Sequence, residues 1–121
     1  MSKKTLVLGA SEKPDRFSNK AVRLLRSYQH DVIAVGAAIG QIEDVRIEDE
    51  FSTKERVHTL SLYLNPTLQK KYYDGIIALK PLRIIFNPGT ENEELKTLAE
   101  NAGIKTENAC TLVSVSYTHL R

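Results

Sequence analysis

The sequence predicts an α/β protein, a single doubly wound domain of about five mostly parallel strands with helices on both faces. Three observations carry this expectation. KTLVLG at 4–9, DVIAVG at 31–36 and LRIIF at 82–86 are short, nearly continuous apolar runs, the pattern of strands buried on both faces. Segments of helical periodicity alternate with them. The length of 121 residues suits one core and one domain.

The first strand, 4–9, ends where Gly9 turns the chain into a polar loop. Residues 18–29 then set Ala21, Leu24, Leu25 and Tyr28 on one helical face. Ser18 reads as the N-cap of this helix, and Phe17 with Val22 as a hydrophobic staple. The second strand, 31–36, completes a βαβ unit with a right-handed crossover. Residues 37–50 read as a loop with a short extended piece at 45–47. A third strand at 57–63 alternates Val57, Thr59, Ser61 and Tyr63 against His58, Leu60 and Leu62, and Asn65-Pro66 breaks it. Leu68, Tyr72, Ile76 and Leu79 share one face of a helix over 67–79, in which Gly75 costs roughly 1 kcal/mol relative to Ala. The fourth strand, 82–86, is closed by Asn87-Pro88-Gly89. Thr90 and Glu93 read as a capping box for a helix carrying Leu95, Leu98, Ala99 and Ala102. Gly103 follows as its C′ residue, and 104–106 begins a fifth strand.

Composition narrows the function classes. The formal net charge of +2 is too mild, and the basic residues too scattered, for a nucleic-acid partner. No apolar stretch approaches the ~20 residues of a membrane span. Cys110 is the single cysteine, so no internal disulfide forms, and the chain reads as cytoplasmic. No catalytic set stands out. His30, His58 and His119 lack metal-ligand spacing, and Cys110 reads as a packing thiol. Glu48, Asp49 and Glu50 read as a solvated acidic turn, and Tyr72-Tyr73 as a half-buried helix pair.

The loop VLGASEKPDRFSNKAV is where chemistry is expected. Gly9 allows the turn, and Ala10 and Ser11 are small enough for backbone amides to approach a ligand. Lys13 and Arg16 add positive charge beside a helix N-terminus, which suits a phosphate or pyrophosphate. The dinucleotide pattern G-x-G-x-x-G is absent, since Ser11 and Pro14 stand at the second and third glycine positions. The second strand ends in Ala34, Val35, Gly36, Ala37 and Ala38, without the acid that would hold an adenosine ribose. A Walker lysine is also missing.

The pieces VLGASEKPDRFSNKAVRLL, DVIAVG, LYLNP, IIFNPGTENEEL and ENACTL carry a resemblance. The chain resembles the small stand-alone coenzyme A-binding proteins, single Rossmann-like domains similar to the CoA-binding domain of the succinyl-CoA synthetase α subunit. The resemblance implies CoA or acyl-CoA as the cofactor, a small nucleotide ligand bound without catalysis. It implies that the first loop, through Gly9, Ala10, Ser11, Lys13, Arg16, Phe17 and Ser18, holds the CoA phosphates. It places Val35 and Gly36 near the adenosine phosphate group, and Asn65 and Pro66 along the nucleotide or pantetheine. Asn87, Pro88 and Gly89 would line the far side of the crevice. Where relatives of this kind carry basic residues after the second strand, this chain has Ala37-Ala38-Ile39. The functional domain is expected to span 1–112. The segment from 113 to 121, ending in SVSYTHLR, reads as a fusion or sequencing scar and is set apart from it. Two other readings remain open: an interaction domain without a ligand, and a Rossmann-type enzyme using another nucleotide.

Overall fold

The computed structural model describes residues 4–114, so the segment 113–121 expected to be a non-native tail lies largely outside the described residues, as does His119. The elements run β1 (Thr5–Leu8), α1 (Phe17–Ser27), β2 (Val32–Val35), β3 (Gly40–Ile42), β4 (Val45–Glu48) and β5 (Thr59–Leu62). There follow α2 (Pro66–Gln69), a 3-10 turn (Lys70–Tyr72), α3 (Tyr73–Leu79), β6 (Arg83–Phe86), α4 (Glu93–Asn101) and β7 (Lys105–Asn108). Residues 111–114 are also helical. The strands form one seven-stranded sheet in the order β3-β4-β2-β1-β5-β6-β7. Every pairing is parallel except that of β3 with β4.

Strand alternation divides the core into two layers. Leu6, Leu8, Leu60, Leu62, Ile84 and Phe86 pack under α3 and α4, against Ile76, Leu79, Leu95 and Ala99. Val7, Ala34 and Ile47 face the other way, against Val22 and Leu25 of α1. The sheet is thus doubly wound, with helices on both faces, as the apolar runs predict.

Four expectations need correction. The sheet has two strands more than the sequence suggests, because 37–50 folds as a β3–β4 hairpin. Its Ile42, Val45 and Ile47 point into the α1 layer. Its two-residue turn carries Glu43 at φ 51, a left-handed position that the sequence does not mark with Gly or Asn. Ser18 is not the cap of α1. The helix starts at Phe17 with Arg16 in the N-cap position, Ser18 is buried, and Phe17 is 65% exposed instead of stapled on Val22. The helix expected over 67–79 is interrupted by the 3-10 turn, and Asn65 caps its first piece through Leu68 N at 3.0 Å. Finally, Thr90 does not cap α4. Its hydroxyl donates to Asn87 O at 2.8 Å, and Asn92 is the cap, accepting from Leu95 N at 3.1 Å.

Candidate functional site

The strand order reverses at β1, which has β2 on one side and β5 on the other. Ligands of open α/β sheets bind at the carboxyl ends of the strands beside such a reversal. A cleft of about 60 Å³ lies there, lined by Gly9, Gly36 and Ala37 on one lip and Leu64, Leu68, Lys71 and Tyr72 on the other. A larger hollow, about 890 Å³, is an open groove at the opposite end of the sheet, around His58, Arg83 and Lys105. Its guanidinium is already engaged, because Arg83 donates to Thr59 Oγ1 at 2.9 Å and to Glu107 at 3.0 Å.

Glycine sets the geometry of the cleft. Gly9 has φ +105, and a Cβ there would also meet the backbone of Tyr63 at 3.0 Å. Gly36 solves a different problem: a Cβ on it would lie 2.2 Å from Ala10 O. The first loop can therefore lie directly on the end of β2, where Gly9 N and Ala10 N both donate to Val35 O, at 2.8 and 2.9 Å. Val35 itself is buried, and its carbonyl is what holds the loop here.

Several bonds hold the rest of the loop. Asn19 donates to Ser11 O at 2.9 Å and accepts from Arg23 Nε at 2.7 Å, while Arg23 also donates to Pro14 O at 3.0 Å. Ser11 Oγ accepts from Lys13 N at 3.1 Å. Glu12, a carboxylate inside a loop read as anion-binding, accepts from Gln41 N at 2.9 Å and so is tied to the β3 hairpin. Asn19, Arg23 and Glu12 escape sequence reasoning. Only the i, i+4 spacing of Asn19 and Arg23 could have pointed to their contact.

The N-terminus of α1 differs from that of α4. α4 has a side-chain cap and begins with Glu93 and Glu94, which compensate its dipole. α1, of eleven residues, has no side-chain cap and no acid in its first turn. Its leading amides face an exposed loop with Lys13 and Arg16. Phe17, Ile39 and Leu68, three of the exposed large apolar side chains, stand after β1, β2 and β5 around the same end of the sheet.

The remaining candidates divide. Asn65 and Pro66 begin α2 on the opposite lip, with the Asn65 side chain used as the cap. Gln69 Nε2 donates to Leu64 O and to Thr90 O, both at 2.8 Å, which joins that lip to the turn after β6. Within that turn Pro88 and Gly89 are exposed, and Gly89 takes φ +92. Asn87 is 1% exposed and acts as a structural hub. It donates to Ser61 Oγ and Leu62 O, at 2.9 and 2.8 Å, and accepts from Thr111 N at 2.8 Å.

Beside this hub, Ser61 and Thr111 share a hydroxyl contact of 2.7 Å. Among the described residues the buried hydroxyl of Tyr63 finds no hydrogen-bond partner. Burial pushes the Tyr63 phenol up to about 12, partly offset by the nearby Thr111 and Ser61 hydroxyls. Because the folded value is the higher one, the neutral phenol favours folding. Its contribution is complete below the ordinary value near 10 and is lost as pH rises through about 12. Denaturation of wild type and Tyr63→Phe between pH 9 and 12 should show a steeper loss of stability in wild type. Parallel curves would contradict this.

The fold and the switch-point cleft define a single Rossmann-like α/β domain. The model of the CoA binding domain family matches residues 3–116, and the chain belongs to that family. A solved structure described as an uncharacterized protein is 42% identical, with 98% of both chains covered and a TM-score of 0.93. A Thermus thermophilus protein of 22% identity aligns over 97% of this chain and 90% of its own, with a TM-score of 0.86. The dinucleotide-forming acetyl-coenzyme A synthetase 1 of Ca. Korarchaeum cryptofilum is 15% identical. It aligns over 86% of this chain and 25% of its own, with a TM-score of 0.72. At these lower identities the likeness is one of fold. No curated protein matches. Among the described residues, no helix is long and apolar enough to cross a membrane.

Proposed function

We propose that the chain binds coenzyme A or an acyl-CoA without transforming it, and that the loop after β1 receives the phosphates. The observation that carries the proposal is the open N-terminus of α1, uncapped and free of acids in its first turn. An anionic ligand group completes such a terminus by accepting from the leading amides. Lys13 and Arg16 add charge at the same place. The loop is held in position by β2, β3 and α1 before any ligand arrives, which lowers the ordering cost of binding. Phe17, Ile39 and Leu68 offer apolar surface around the mouth for the adenine or the pantetheine. Isothermal titration with CoA, NAD and ATP tests the proposal. Saturable binding of CoA at micromolar concentration, with NAD and ATP weaker, is the expected result. Silence with CoA, or a preference for NAD, contradicts it.

A further inference from the structure

Ala37 is exposed on one lip of the switch-point cleft, at the end of β2, where the CoA reading puts the adenosine phosphate group. The opposite lip carries a cation. Lys71 lines the same cleft from the 3-10 turn, and its ammonium sits 5.1 Å from the centroid of the Tyr72 ring. Tyr72 is itself stacked on Phe51, with centroids 6.3 Å apart. The ring contact orients the ammonium without neutralising it. Among the described residues, no carboxylate forms a salt bridge with Lys71. Lys70, the preceding residue, does not line the cleft.

We infer that Lys71 supplies from across the cleft the positive charge absent at positions 37 and 38, and that it pairs with the ribose 3′-phosphate of CoA. This rests on the CoA reading above. A phosphomonoester is close to dianionic at neutral pH. In a narrow cleft an ammonium on one wall can therefore replace a basic side chain on the other. The pairing makes Lys71 a specificity-determining residue: it distinguishes CoA from its 3′-dephospho form, which shares everything except that phosphate.

Titration of wild type, Lys71→Ala and Lys70→Ala with CoA and 3′-dephospho-CoA tests the inference. Wild type is expected to prefer CoA about 10-fold or more, in line with the strength of a charge-assisted hydrogen bond. Lys71→Ala should lose that preference by weakening CoA alone, with 3′-dephospho-CoA held as before. Lys70→Ala should keep it. Binding of both ligands with the wild-type preference retained in Lys71→Ala overturns the role of Lys71 and leaves the CoA reading standing. Equal affinity of wild type for the two ligands also overturns it. Failure of wild type to bind either ligand overturns the CoA reading, and the role of Lys71 with it.

Discussion

Replacing Arg16 with Asp is expected to make the protein more stable and a poorer CoA binder at the same time. Arg16 stands in the N-cap position of α1 with φ −73 and ψ 141, the extended conformation a capping residue adopts, but it makes no side-chain cap. Asp is among the best N-caps. Its carboxylate would accept from the leading amides and complement the helix dipole, a gain of about 1 kcal/mol. The same carboxylate would fill the place assigned to a ligand phosphate and repel it, while removing a cation. Loss of one charge-assisted contact alone is worth about 1.5–3 kcal/mol, or roughly 10- to 150-fold in affinity. Thermal denaturation and CoA titration of Arg16→Asp read the two effects separately. A variant that is stabilised yet binds CoA as wild type would show that the N-terminus of α1 is not the phosphate site. For an ordinary structural helix end, a better cap would change stability and leave binding alone.

The second large effect is expected at Gly36. Its φ is not in the left-handed region, so Gly36→Ala adds no backbone strain of that kind. The new Cβ, however, would lie 2.2 Å from Ala10 O, an atom of the backbone that cannot rotate away. The loop must move, and the two bonds from Gly9 N and Ala10 N to Val35 O go with it. Overpacking of this kind costs about 2–3 kcal/mol, which in a domain of this size lowers the melting temperature by about 10 °C. CoA affinity should fall at least ~10-fold, because the amides no longer present themselves together. Gly103→Ala is the comparison. That position has φ +83 with nothing within 4 Å of a Cβ, so stability should fall by about 1 kcal/mol and CoA binding should be unchanged. Unaltered CoA affinity in Gly36→Ala would separate binding from the position of the loop.

The parallel sheet was legible because β1, β2 and β6 are nearly continuous apolar runs and β5 alternates: β1, Thr5–Leu8, is buried along its whole length. The β3–β4 hairpin was not. Its strands are three and four residues long, and its turn lacks the Gly or Asn that usually announces φ > 0. Capping misled in both long helices for a related reason. Ser18 and Thr90 are capping residue types, but tertiary contacts decide the position of a cap. Burial carries Ser18 inside α1, and Thr90 is taken by the carbonyl of Asn87, leaving the role to Asn92. In the candidate site, Gly9, Ala10 and Ser11 could be named from the residues, because small side chains at a strand end allow close backbone approach, and Gly36 through the family resemblance. Lys71 could not. It lies far along the chain from Gly36, on a 3-10 turn that lines the same cleft as Ala37.

A residue-resolved NMR titration of the ¹⁵N-labelled protein with CoA shows whether the N-terminus of α1 receives the phosphates. The amides of Ser11, Phe17, Ser18 and Asn19 are expected to show the largest shifts, together with Ala37 and Lys71. Shifts concentrated instead at His58, Gly103 and Lys105, around the open groove at the other end of the sheet, would contradict that role for α1.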